Sequence, residues 1–223
     1  HTSVLCNMRL AITIVFCLFA NIAWSADYED GLLAFDKGDF QTAIKKWTPL
    51  ADKGDARAQN SLGNLYHEGK GVPQDYNKAF KLSSLSAQQG NAQGQFNMGV
   101  HYLYGYGVEP NIQLAKKWFE LSADQLFPMA HYNLGIMHYV GEGIPVNYEQ
   151  AYKHFSYSAN ERLPEAMTML GVMYESGTFV VQDYELALYW FTYAAQREDA
   201  WAQQMIRYMS ALCLLYTSAA ADE

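Results

Sequence analysis

The chain has 223 residues, a formal charge of −8, and a composition that is half hydrophobic, with charged residues at 17%. So apolar and aromatic a chain can bury a sizeable core, which excludes intrinsic disorder. Its acidic balance and the lack of any basic run exclude a phosphate-backbone partner, so no nucleic acid is expected.

Met8-Arg9 opens a stretch that reads as an export signal. Leu10 to Ile22 is almost wholly apolar, and Ala23-Trp24-Ser25 puts small residues at the −3 and −1 positions. Cleavage after Ser25 is expected, which would place the mature chain in the periplasm or outside the cell. The apolar run is about 13 residues, short of the roughly 20 that a spanning helix needs. No stable membrane insertion is expected after cleavage. Residues 1–7 precede Met8 and read as sequence upstream of the natural start, so 1–25 is expected to stand outside the fold. Cys17 lies between Phe16 and Leu18, without the small residue before it and the polar stretch after it that lipidation would take. Cys6 and Cys17 fall in this segment and Cys213 near the C-terminus, so the repeat region holds no cysteine and no disulfide framework.

The rest of the chain is periodic. Gly63, Gly99, Gly135 and Gly171 stand 36 residues apart, as do Gly69, Gly105, Gly141 and Gly177. Ala43, Ala79, Ala115, Ala151 and Ala187 keep the same register, and so do Ala51, Ala87, Ala123, Ala159 and Ala195. Tyr66, Tyr102 and Tyr174 share a column in which His138 replaces the aromatic once. A fixed period of this length signals stacked supersecondary units.

In chain order, 27–55 reads as a degenerate N-terminal capping repeat with a short turn at Asp36-Lys37-Gly38-Asp39. Full units follow at 56–91, 92–127, 128–163 and 164–199. In each, the spacing predicts two helices. The first is typified by Ala56 to His67, where Ala58, Leu62, Leu65 and Tyr66 form an apolar stripe of helical period. Gly63 inside it costs about 1 kcal/mol relative to Ala, which points to a close backbone approach by the neighbouring helix. Gly69 is the expected C-cap and Pro73 stops continuation. Asp75, Asn111, Asn147 and Asp183 share a column and read as N-caps rather than metal ligands. The second helix is predicted from Tyr76 to Gln89, with Ala79, Leu82 and Ala87 inward. Leu126, Arg162 and Glu198 take the place of Gly54 and Gly90 between repeats, and Phe179 replaces the second loop glycine. Residues 200–212 begin a truncated fifth repeat. Cys213-Leu214-Leu215-Tyr216-Thr217-Ser218 reads as a translated library-adapter sequence, so 213–223 is expected to be a non-native tail.

The pattern Ala58-Gln59-Asn60-Ser61-Leu62-Gly63-Asn64-Leu65-Tyr66, followed by Gly69-Lys70-Gly71-Val72, Asp75 and Ala79, resembles the Sel-1-like repeat family, a relative of tetratricopeptide repeats. Leu103-Tyr104-Gly105-Tyr106-Gly107-Val108 and Tyr139-Val140-Gly141-Glu142-Gly143-Ile144 repeat it. The resemblance covers roughly residues 27–212 and implies an all-α solenoid, a right-handed superhelix of antiparallel helix pairs. It implies a scaffold for protein–protein or protein–peptide contact. An adaptor controlling an envelope sensor or a secretion or virulence pathway is an alternative. β-Lactam-related hydrolysis is a further one, although the relatives concerned carry a disulfide per repeat that this chain lacks.

No HExxH, cysteine pair, GxSxG or GxxxxGK[ST] motif occurs, so no catalytic or cofactor residue is assigned and no enzyme is expected. His131 and His138, seven apart on one predicted helix, lack an evident third metal ligand. His138 therefore reads as packed core. Met137, Met169 and Met173 read as core at helical spacing. The related tetratricopeptide pattern places three first-helix rows on a concave partner-binding surface. By register these are Asn60, Phe96, Tyr132 and Thr168; Asn64, Val100, Ile136 and Val172; and His67, Leu103, Tyr139 and Glu175. The middle units are apolar and aromatic there, at positions expected to stay open to a protein or peptide.

Overall fold

The computed structural model describes residues 26–221. Among them every regular element is an α-helix, and the chain divides into two compact units, one ending at Pro110 and the other beginning at Asn111. The first unit holds α1 (residues 26–36), α2 (Phe40–Asp52), α3 (Ala56–Glu68), α4 (Tyr76–Gln88) and α5 (Ala92–Tyr104). The second holds α6 (Ile112–Ala123), α7 (Pro128–Val140), α8 (Tyr148–Asn160), α9 (Pro164–Ser176), α10 (Tyr184–Ala195) and α11 (Ala200–Ala221). From α2 to α5, and again from α6 to α11, each helix packs on the next in the chain. This is the all-α, helix-pair architecture expected from the 36-residue period. The signal expected over 1–25 lies outside the described residues. The backbone of α11 stays helical across residue 212, where the truncated repeat was expected to stop.

The helix ends follow local chemistry. Asp75, Asn111, Asn147 and Asp183 each accept from the backbone N–H three residues on, at 3.0, 3.0, 3.0 and 2.9 Å. They satisfy donors that a helix leaves without partners. Asp55 and Asn91 do the same for α3 and α5. In the second unit Phe127 and Leu163 occupy the equivalent cap positions and offer no side-chain acceptor, but Pro128 and Pro164 follow and have no N–H to satisfy. At the other end, Gly69, Gly105, Gly141 and Gly177 are left-handed C-caps. The four replaced glycines keep the same backbone: Leu126, Arg162, Glu198 and Phe179 have φ of 64°, 67°, 66° and 68°. Each holds an L-residue where it costs about 1–2 kcal/mol.

The inner face of the second helices is built on a column that the period alone does not advertise. Trp47, Ser83, Phe119, Phe155 and Phe191 stand 36 apart, and all are buried. Leu82, expected inward, is only partly buried beside Ser83. Burying each ring stabilises the fold by about 1.5–3 kcal/mol. Two of the helix glycines make room for the rings of this column. A Cβ on Gly135 would lie 2.6 Å from Phe155 Cε1, and one on Gly171 would lie 2.6 Å from Phe191 Cε1. So at Gly135 and Gly171 the close approach is by an aromatic ring, not by backbone. At Gly63 the nearest atom is Ser83 Oγ at 3.2 Å. Hydroxyls also tie the pairs together: Ser86 Oγ donates to the Ala56 carbonyl at 2.7 Å, and Ser158 Oγ to the Pro128 carbonyl at 2.8 Å. Around Phe155 and Phe191, α9 contributes Met167, Met169 and Met173, all buried.

Candidate functional site

In the first unit, α3 and α5 bring together Asn64 and His67 with Phe96, Asn97, Val100 and His101 around a cleft of about 260 Å³. A ladder of three amides crosses it. Asn97 Nδ2 donates to Asn60 Oδ1 at 2.8 Å and to Asn64 Oδ1 at 2.7 Å. Both donors of Asn97 are then occupied, while its Oδ1 stays open and Asn64 keeps its NH2 group. Turning all three amides end for end exchanges these roles, Asn97 then presenting its NH2 group and Asn64 its carbonyl oxygen, so the pair still offers one of each. Half-buried Phe96, Val100 and Leu103 supply apolar surface on α5. His101 is buried and donates from Nδ1 to the Tyr106 carbonyl at 2.7 Å. Burial holds His67 and His101 below the usual imidazole range, against Glu68 for the first and the Tyr106 carbonyl for the second.

The sequence-predicted rows divide between the two units. Asn60 is buried at 3% exposure, so it supports Asn64 and Asn97 from within instead of facing outward. Thr168 is wholly buried, and its hydroxyl donates to the Pro164 carbonyl four residues back. These two positions are therefore interior, contrary to the expectation of an open surface. Polar side chains are tolerated there because each has a local hydrogen-bond partner. Tyr132, Ile136, Tyr139 and Val172 are half-buried and pack on the core of the second unit. Their apolar character is largely used within the fold. Asn64, Phe96, Val100 and Leu103 remain as partly open surface in the first unit.

The second unit contains a histidine cluster. His131 and His138 lie on α7, His154 on α8, and Lys116 and Glu120 on α6, around a cleft of about 340 Å³. His131 Nδ1 and His154 Nδ1 are 2.9 Å apart, and the His138 ring stacks on His154 at 5.7 Å. His131 Nε2 and His138 Nδ1 are buried without a hydrogen-bond partner. The Ala123 carbonyl favours a proton on His131, yet it completes no bond of normal geometry with Nε2. Burial pushes His154 down to about 4, helped by His131, His138 and Lys116. His131 and His138 are lowered by burial too, against Asp124 and Glu120 respectively. His138, expected in the core, is only half-buried, like Tyr66, Tyr102 and Tyr174 in its column. Among the described residues, no group of three or more His, Cys, Asp or Glu side chains is arranged to hold a metal ion. No helix among them is long and apolar enough to cross a membrane.

Sequence reasoning missed Asn97 and His154. For His154 the signal is departure from the repeat, since it stands where the other units have Leu82, Trp118 and Trp190. For Asn97 it is the polar column itself, where Asn97 follows Ser61 and is repeated as Asn133.

The Sel1 repeat profile matches residues 56–91, 92–125, 128–162 and 164–199. No curated protein sequence matches the chain. Among solved structures, a Sel1 repeat protein from Oxalobacter formigenes is 29% identical with a TM-score of 0.74, over 80% of this chain and 73% of that one. A protective antigen present in uropathogenic Escherichia coli strains, displaying an SLR fold, is 30% identical with a TM-score of 0.71. That match covers 86% of this chain and 42% of the antigen, so this chain spans less than half of that protein. A Sel1 repeat protein from Klebsiella pneumoniae, 20% identical with a TM-score of 0.59 over 84% of this chain and 93% of that one, is similar in fold.

Proposed function

The chain belongs to the Sel1 repeat family, as a scaffold of four such repeats, and we propose that it acts by holding an extended protein or peptide segment in the cleft between α3 and α5. The observation that carries this reading is the amide ladder. A peptide group offers one N–H and one C=O, and the open NH2 and carbonyl of Asn64 and Asn97 are complementary to that pair. Phe96 and Val100 beside them give side chains of the bound segment an apolar surface. The cleft contains no arranged nucleophile and base, so the proposal is binding without covalent chemistry.

An envelope or extracellular location is part of the same reading. It rests on the apolar stretch Leu10 to Ile22 ahead of Ala23-Trp24-Ser25. The likeness to a protective antigen supports it.

The test is a displayed library of random peptides selected on the full chain. Binders are then followed by the side-chain amide NMR signals of Asn64 and Asn97. Replacing Asn97 by Leu removes the ladder and its outward acceptor. Two hydrogen bonds at about 1 kcal/mol each correspond to roughly a thirtyfold loss of affinity. Binders that leave both amide signals unmoved and bind N97L as tightly as the parent would overturn the assignment.

A further inference from the structure

The histidine cluster of the second unit is not used by the proposed peptide cleft, which lies wholly in the first. Its geometry is that of a contact limited in how many protons it can hold. Two imidazole nitrogens 2.9 Å apart share one proton, one nitrogen donating and the other accepting. The pair tolerates the neutral state or a single positive charge. Two imidazolium rings would set N–H against N–H at that distance, and the contact must break.

The surroundings sharpen this limit. On α6, Lys116 adds a cation, paired to Glu120, and Asp124 caps the helix near His131. On α7, His138 stacks on His154 with the rings 12° apart. On α8, the Tyr157 ring lies 4.1 Å from His131. From α9, the other helix packed on α8, Tyr174 reaches Tyr152. At neutral pH the cleft holds one fixed cation and two carboxylates. Full protonation makes that four cations against two carboxylates, one of them already committed to Lys116. Each further charge sits close to the others in a partly desolvated cleft, where repulsion is poorly screened.

We propose that His131, His138 and His154 form a proton-operated latch that closes α7 on α8 at neutral pH and releases the α6–α7–α8 seam on acidification. The release follows the second proton on the His131–His154 pair. Because His154 is held far below a free imidazole, the opening belongs to mildly to strongly acidic conditions, below the range in which an exposed histidine titrates.

The test is hydrogen exchange on the full chain between pH 6.5 and 4, corrected for intrinsic exchange rates, comparing amides of α8 with those of α4. The expected result is a tenfold or larger loss of protection in α8 relative to α4. H154N and H131N keep a polar side chain but remove the facing imidazole, and in both the relative loss should shrink to threefold or less. An unchanged relative loss in these variants overturns the latch. So does a parent chain in which α8 and α4 lose protection together. Should neither variant be helical at pH 7.5, ring-proton NMR of the parent decides. Loss of α8 protection that sets in below about pH 6.5 and levels off as His154 titrates supports the latch. Loss that begins only below that titration, or a His154 that titrates as a free imidazole, overturns it.

Discussion

Gly171→Ala tests the claim that the helix glycines make room for the buried aromatic column. The added Cβ would lie 2.6, 2.7 and 2.9 Å from Phe191 Cε1, Cδ1 and Cζ. Normal carbon contacts are about 3.5–4.0 Å, so the ring must retreat by about 1 Å. Phe191 is wholly buried among Ala166, Met167 and Leu170, and overpacking of this kind costs about 1–3 kcal/mol. Removing a helix glycine returns about 1 kcal/mol. The net expectation is a loss of up to about 2 kcal/mol. Gly63→Ala provides the internal comparison. Its Cβ meets Ser83 Oγ at 3.2 Å, with the Ala79 carbonyl and Leu82 Cβ each at 3.5 Å, so the helix term should prevail and the variant should be neutral or more stable by up to about 1 kcal/mol. Urea unfolding followed by circular dichroism at 222 nm reads both. Phe191→Leu placed on Gly171→Ala should recover part of the loss, because the shorter side chain vacates the ring edge. Equal midpoints for G63A and G171A would refute the reasoning, since propensity is the same in both and only the facing side chain differs.

Arg162→Gly and Glu198→Gly relieve left-handed backbone at exposed turn positions, and each should raise stability by about 0.5–1 kcal/mol, seen as a higher Tm; a lower Tm in both would mean the side chains contribute more than the strain. Stability should also fall with acid. His154 is at about 4 in the folded chain against about 6.5 unfolded, so the unfolded chain binds that proton more tightly. Its contribution is complete above pH 6.5 and is lost as pH falls toward 4. With part of the ring facing solvent, the loss is about 2 kcal/mol, and a urea midpoint that stays constant from pH 7 to 4 would contradict it. His101, lowered by burial in the first unit, adds a loss of the same sign.

Much of the fold is written in the period because cap chemistry and small-residue packing are local. Asp75 and Gly69 mark their helix ends by side-chain acceptor and by left-handed backbone, and both act as the sequence predicts. The aromatic column was harder to see, because Ser83 interrupts Trp47, Phe119, Phe155 and Phe191. Leu82, one place earlier, looks the better apolar candidate until the helix face is known. The functional surface was less legible still. Register puts Asn64 and Phe96 in rows that line one cleft in the structure, yet it cannot tell that Asn60 and Thr168 point inward to hydrogen-bond partners. Periodic comparison also draws attention away from a residue that occurs once, as His154 does in its column. The partners of His154 and Asn97 come from other helices, which spacing along one helix does not reveal.

The thioether side chains packed around Phe191 have a consequence for chemistry in oxidising surroundings. Met129, 40% exposed on α7, meets peroxide directly, whereas Met167 and Met173 have essentially no accessible surface. Sulfoxide at Met129 would accumulate at the rate of an open sulfur, and sulfoxide at Met167 or Met173 only in molecules whose second unit has opened. The ratio of the two, read by mass spectrometry, makes the interior of that unit a clock for its own excursions.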